Sequence, residues 1–313
     1  MARINTFSPN IDKISENIIY LLSLDSRITI SEIAKELNIN RKIAENRYNN
    51  LFKKGYIKPL SISNENNRFR FTILVKLSKF QPDLMEKIKK IKGLLKLKET
   101  LGAYDLSMLF DVYSQKTKDE IVDKVSNLLS ESTITFDVVD HDYEDTLGYK
   151  SFCHDSKLLI EYVPLQPNGI TLEQKELQVL ELVKENPLES LVNLSRKSKL
   201  SYPRLKAIIE KLLTNHIIRF SIDPDYNRLG LQFHNILLKI KLGKREHFET
   251  YIHKHPRIHW IKKSLGRWNY ILSVTARDIN EFIDLSKQIR ADNQDIVLEE
   301  TSLISKIKEA RKY

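Results

Sequence analysis

The sequence predicts an α+β protein in which two winged helix-turn-helix domains alternate with two ferredoxin-like (βαββαβ) domains. Three observations predict it. Sliding the 313-residue chain along itself by 161 positions sets Ile18, Leu21, Leu22, Ile33, Leu51 and Ile57 on Val179, Leu182, Val183, Leu194, Leu212 and Ile218 without a gap, the mark of a duplicated unit. Each copy opens with three short segments of helical periodicity. Each then changes to period-two alternation broken by two more helical segments, the β-α-β-β-α-β order.

In the first copy, helix one covers 15–24, and Thr29 and Glu32 form a capping box at the start of helix two, "SEIAKEL". Asn38 to Asn40 make the turn, with Asn40 as N-cap of helix three. Ala44, Tyr48 and Leu51 then share one face at i, i+4 and i+7. Gly55 ends that helix. The polar "SISNENNRF" reads as a wing hairpin or a loop. "RFTILVKLS" is a strand, "DLMEKIKKIKG" a helix, "LLKLKETLGAYDLSMLFDVY" two strands hinged at Gly102, "KTKDEIVDKVSNLLS" a helix and "ITFDVVDHD" a last strand. In the second copy Ser201 caps helix three, Pro203 is tolerated in its first turn, and Leu205, Ile208, Ile209 and Leu212 form the buried stripe. "NILLKIKL", "REHFETYIHKH", "IHWIKKSLGRWNYILSVTA", "INEFIDLSKQIR" and "IVLEETSLI" repeat the remainder, hinged at Gly266. The implied domains are 1–65, 66–145, 170–224 and 225–313, with a linker over 146–169 that is clearest at "YVPLQPNGI".

Lys and Arg total 51 against 41 Asp and Glu, a formal charge of +10, and the pI is near 9.3. That excess suits a polyanionic partner, nucleic acid ahead of a membrane surface. No apolar run reaches the roughly 20 residues a membrane span needs, and "MARINTFSPNIDK" lacks the apolar core of a signal peptide. Cys153 is the sole cysteine; this excludes an internal disulfide or a zinc ribbon and suits a reducing cytoplasm. His247, His253, His255 and His259 crowd the second copy, but no carboxylate or cysteine stands at ligand spacing beside them, so no metal is expected. "EKIKKIKGLLKLK" reads as the solvated side of a helix, and the acidic "DVVDHDYED" as an intermolecular contact.

Two short helices joined by a tight turn, the second basic at its start, suit insertion of a helix N-terminus into the major groove of double-stranded DNA. On head one the candidates are Asn40, Arg41, Lys42, Glu45, Asn46 and Asn49, able to pair with phosphates or base edges. On head two they are Ser201, Tyr202, Arg204 and Lys206, and Pro203, Ala207 and Glu210 occupy further matched positions. Head two has the poorer reading face, so an asymmetric footprint is expected. Arg47 falls on the buried row and is expected to snorkel or to pair with an acid. Lys53 and Lys54 are further phosphate candidates.

A helix-turn-helix followed by a ferredoxin-like module with Leu-Gly-x-aromatic-Asp/Asn between its central strands resembles the Lrp/AsnC (feast/famine) transcription regulators. The motif stands as "TLGAYDLSMLFDV" and "SLGRWNYILSVTARD", and "SIDPDYNRLGL" resembles the family's link between its two parts. Copy one lacks that Leu-Gly link, and Asn269 stands where copy one has Asp105. Most members carry one unit of each kind and form homodimers, so the resemblance implies a covalent dimer that assembles further through its ferredoxin-like domains. It also implies an amino-acid-like effector at the glycine loops: Gly102, Tyr104 and Asp105, with Gly266, Trp268 and Asn269. Siroheme decarboxylases share this tandem plan and offer a second reading, in which His259, Lys262, Lys263 and Arg267 meet the carboxylates of a tetrapyrrole. An architectural DNA binder is a third. The reading adopted from the sequence is a cytoplasmic regulator with no catalysis and no cofactor.

Overall fold

The computed structural model describes residues 11–63, 68–79, 82–165 and 171–310. The first copy begins with α1 (Lys13–Leu24), α2 (Ile30–Glu36) and α3 (Arg41–Lys53). Capping decides where each starts. Asp12 accepts the Ser15 N–H at 2.8 Å ahead of α1, Thr29 and Glu32 close a reciprocal capping box on α2, and Asn40 accepts the Lys42 N–H at 2.8 Å ahead of α3. Asn38 turns the chain between α2 and α3 with φ 50°, and Gly55 stops α3 with φ 69°. Both residue types tolerate the left-handed region.

Next come β1 (Ile57–Ser63), β2 (Phe69–Leu77), α4 (Pro82–Lys89), β3 (Leu94–Leu101), β4 (Leu106–Val112), α5 (Gln115–Leu129) and β5 (Thr133–Thr146). Two 3-10 turns, Lys150–Phe152 and Ser156–Leu158, lie in the stretch expected to be a linker. Of that stretch, 166–170 lie outside the described residues. The second copy supplies α6 (Gln174–Glu185), α7 (Leu191–Ser198), α8 (Tyr202–Thr214), β6 (Ile218–Pro224), β7 (Gln232–Ile240), α9 (Arg245–Lys254), β8 (Ile258–Leu265), β9 (Tyr270–Ala276), α10 (Ile279–Asp292) and β10 (Val297–Ala310).

The chain divides into two units, each drawing on both copies: 1–65 with 145–232, and 66–144 with 233–312. In the first unit β1 and β6 form a two-stranded antiparallel sheet, from Ile57 opposite Pro224 to Ser63 opposite Ile218. This corrects the expectation of a wing hairpin or loop at "SISNENNRF". Its first residues are a strand whose backbone groups find partners in the other copy, since neither strand alone can satisfy them. Residues 64–67 of that segment lie outside the described residues.

The core of head one reaches beyond its own helices. Tyr149, Phe152, Cys153 and Leu158 from the stretch after β5, and Ile222, Leu229 and Leu231 from the second copy, pack with Ile18, Ile19, Leu22, Ile33, Ala44 and Leu51. Head two closes on Val179, Leu180, Val183, Leu194, Leu205, Ile209, Leu212 and Phe220, all from its own helices and strand.

In the second unit the expectation of two separate ferredoxin-like sheets is also corrected. The eight strands close into one barrel in the order β10-β3-β4-β2-β5-β8-β9-β7. Each copy keeps the ferredoxin-like order among its own four strands, and the edges join, for example with Ile304 of β10 opposite Leu101 of β3. A four-stranded open sheet would leave two unpaired edges, and closure removes them. One face of the first copy's strands packs Phe71, Ile73, Val75, Leu97, Met108 and Phe110 against Ile88, Val125 and Leu129 of α4 and α5. The opposite face turns inward, where Leu74, Tyr104, Val139, Leu237, Trp268, Ile271 and Leu303 form an inner cluster.

Candidate nucleic-acid interface

On α3 the i, i+4, i+7 face buries Ala44 and Leu51 and half-buries Tyr48, so Asn40, Arg41, Lys42, Glu45, Asn46 and Asn49 are all exposed. Arg41 and Lys42 stand in the first turn, where unpaired backbone N–H groups already favour anions. Asn46 and Asn49 follow on the same exposed side and carry both a donor and an acceptor, which is what an adenine edge requires. The Asn40 side-chain oxygen is committed to the cap, leaving its amide N–H groups to donate. Arg47 pairs with Asp12 at 2.7 Å and so braces α3 against the start of α1, as its place on the inner row implied.

Lys53 and Lys54 line a shallow recess of about 500 Å³ together with Tyr56 and Arg228. Arg228 donates from Nη1 to the Lys54 carbonyl at 3.1 Å. This third cation is missed in the sequence because it comes from the other copy; only the "SIDPDYNRLGL" link, had it been docked on head one, could have signalled it.

Head two presents Ser201, Tyr202, Pro203, Arg204, Lys206, Ala207 and Glu210 to solvent. Ser201 is the N-cap residue of α8 but makes no side-chain capping bond, and Pro203 follows in the first turn. Proline lacks the N–H that such a cap would normally take. Lys206 pairs with Glu210 at 3.6 Å, both side chains more than half exposed, a weak surface pair that still leaves a carboxylate on the face. Glu210 stands at the position matched to Asn49.

The hinge residues divide between inside and outside. Trp268 Nε1 donates to the Tyr104 hydroxyl at 2.9 Å, and that hydroxyl donates to Asp137, so the two copies' hinge aromatics meet inside the barrel. Burial and the Asp137 carboxylate push the Tyr104 phenol up to about 12. Asn269 is buried and satisfied: its Oδ1 accepts the Ile240 N–H at 2.9 Å and its Nδ2 donates to the Ile240 carbonyl at 3.1 Å. Asp105 does the same work in copy one, accepting the Leu77 N–H at 2.8 Å, and also pairs with Lys76 at 2.9 Å. Copy two also has a lysine at the matched place, but Lys239 pairs with Glu299 at 3.3 Å and not with the amide. The exposed parts of the hinges are Gly102 and Gly266. At Gly102, with φ 135°, an added Cβ would lie 2.6 Å from the Ser302 carbonyl oxygen; at Gly266, with φ 105°, it would meet nothing within 4 Å.

Packing also fixes the state of Cys153 and the place of the two charged runs. Cys153 is buried and donates to the Asp155 carbonyl at 3.1 Å; burial pushes its thiol up to about 11, which leaves it a poor nucleophile. In the acidic run, Asp137, Glu144 and Asp145 have partners within the chain, among them Tyr104, Arg70 and Arg219; this corrects the intermolecular contact expected of them. The lysine run is not one helix face, because α4 ends at Lys89 and β3 starts at Leu94. Strand alternation turns Lys98 inward, opposite Leu97, and buries it.

Residues 11–58 match a family model described as winged helix-turn-helix DNA-binding. Over 122 residues, 38% of this chain and 87% of the relative, the sequence is 32% identical to the HTH-type transcriptional regulator LysM of Sulfurisphaera tokodaii. Over 115 residues, 36% of this chain and 80% of the relative, it is 29% identical to the HTH-type transcriptional regulator LrpC of Bacillus subtilis. The whole fold is similar to that of the siroheme decarboxylase NirDL, with a TM-score of 0.60, 13% identity, and coverage of 96% of this chain and 94% of that one. The expectation that this chain is no enzyme, which rested on the basic heads and the hinge glycines, therefore does not stand: the tandem fold is one that an enzyme has over its whole length. Among the described residues no helix is long and apolar enough to cross a membrane.

Proposed function

The chain belongs to the Lrp/AsnC family of transcription regulators, and from that premise we propose that it reads double-stranded DNA unequally, through α3 of head one in the major groove and α8 of head two mainly on phosphates. The observation that carries this reading is the exposed set Arg41, Lys42, Asn46 and Asn49, against Tyr202, Pro203, Ala207 and Glu210 at the matched positions of head two. The β1–β6 pairing within one unit supports a fixed spacing of the two heads, suited to half-sites about 34 Å apart or a multiple of that. Footprinting on the DNA upstream of its own gene tests it. Strong protection of one half-site with weak protection of the other is expected, and equal protection of a palindrome counts against it.

A carboxylate-bearing effector such as an amino acid would meet the hinge loops at Gly102 and Gly266, whose backbone is exposed. It would act by preferring one assembly of the homo-oligomer, and so one spacing between the head pairs of different chains. Mobility shifts with a panel of amino acids test this, and light scattering of the purified protein tests assembly into a homo-oligomer. The work so described is cytoplasmic. A second reading rests on the whole-length likeness to a siroheme decarboxylase: decarboxylation of a tetrapyrrole. A shifted absorption spectrum on adding siroheme, with release of carbon dioxide, would establish it.

A further inference from the structure

The heads and the hinges leave part of the barrel interior without a role. Leu74, Val139, Leu237 and Ile271 belong to the inner apolar cluster, so residues two or four places along the same strands share its face. These are Thr72 and Arg70, His141, Asn235 and Ser273. Here the interior turns polar and cationic. Glu144 accepts from Arg70 Nη1 at 3.0 Å and from Trp260 Nε1 at 2.6 Å, and Lys262 stands 3.2 Å from it. Asp111 is held by both Arg68 and Arg70 at 2.9 Å. The two carboxylates thus serve three cations, and Lys98 is a fourth.

Lys98 is buried. Its Nζ donates to the Asn235 side-chain oxygen at 2.6 Å and lies 4.7 Å from the centre of the Phe233 ring. Asn235 is oriented in turn by donation to Ser273 Oγ at 2.9 Å. Among the described residues no carboxylate is hydrogen-bonded to Lys98. Glu144 is near enough to favour its charge but is already engaged by Arg70, Trp260 and Lys262; a buried ammonium so weakly compensated is costly, and it either loses its proton or recruits an anion. Burial, with Lys96 and Lys262 nearby, holds the Lys98 amine well below the usual lysine range. Lys96 and Phe233 are only partly buried, which leaves this region a side open to solvent.

We propose that this part of the barrel binds a small anion bearing carboxylate or phosphate oxygens, with Lys98 as its direct partner, Asn235 as the guide, and Lys96 and Lys262 supplying the surrounding positive field. The site is separate from the hinge glycines and rests on neither functional reading above.

Thermal unfolding of the full chain tests it in sodium chloride, sodium phosphate and sodium citrate at matched ionic strength. A general salting effect moves every variant alike, so the difference between chains is what is read. Wild type is expected to gain about 3 °C more than Asn235→Asp from phosphate or from citrate, and which salt acts identifies the oxygen type. Asn235→Asp carries its own carboxylate beside Lys98, and so should melt above wild type in chloride. Lys98→Met should also lose the response; if it fails to fold, Asn235→Asp still decides. A wild-type gain no larger than that of Asn235→Asp, in both salts, overturns the proposal.

Discussion

Head one is anchored by Tyr149, Phe152, Cys153 and Leu158 from beyond its own helices and by Ile222, Leu229 and Leu231 from the other copy, whereas head two closes on its own side chains. Head one also uses better-suited residues at the two left-handed positions of the motif. Asn38 and Gly55 stand at φ 50° and 69°, where head two has Lys199 and His216 at 56° and 51°. Such a conformation costs a residue other than glycine or asparagine roughly 1 kcal/mol. The better-anchored, less strained head is the one with the readable face. On the reading proposed above, duplication has kept one precise reader and relaxed the other, which retains the place but not the chemistry.

The sharpest way to break this comparison is on the reading faces. Arg41→Ala with Lys42→Ala should weaken specific DNA binding by about 2–6 kcal/mol if each side chain makes a good contact, and Tyr202→Ala with Arg204→Ala by less than about 1 kcal/mol; mobility shifts at fixed salt would decide. Equal losses would make the heads equivalent. Next is anchorage. Phe152→Ala should cost about 3–5 kcal/mol in urea unfolding, although Phe152 lies in neither helix trio.

A pH series sharpens the same point. Lys150 beside Phe152 is buried, and burial lowers its amine to about 8. Between pH 8 and 10.5 the unfolded chain holds the proton that the folded chain has lost, so stability should rise with pH across that window. Lys150→Met should flatten the rise. Smaller still, Glu210→Gln should free Lys206 and remove an acid from the face of head two, raising DNA affinity by up to about 1 kcal/mol with a steeper salt slope. Last, His216→Gly should stabilise the chain by about 1 kcal/mol in thermal melts, and Gly55→His should destabilise it by a similar amount.

Much of head one was legible before any coordinates. The capping box at Thr29 and Glu32, the Asn40 cap and the Gly55 stop are local features whose signals lie within a few residues; the inner-row place of Arg47 pointed to an acid, but not to Asp12, far back in the chain. The tandem plan was legible because apolar spacing repeats without a gap. What stayed hidden was pairing over long range. Nothing in "SISNENNRF" or "IRFSIDP" says that each strand's partner is the other, and nothing in either set of four strands says that their edges join. For the same reason Arg228 could not be assigned to the recess beside Lys53, nor Lys98 to the barrel interior. Periodicity reports which face of an element is apolar; it does not report whose surface meets that face.

The β1–β6 ladder, with Ile57 opposite Pro224 and Ser63 opposite Ile218, has one more consequence. When two heads belong to separate polypeptides, their union depends on concentration and partners can be swapped. Here that union is unimolecular. The pair of heads should survive dilution intact, and a co-expressed defective copy should not poison it by subunit exchange.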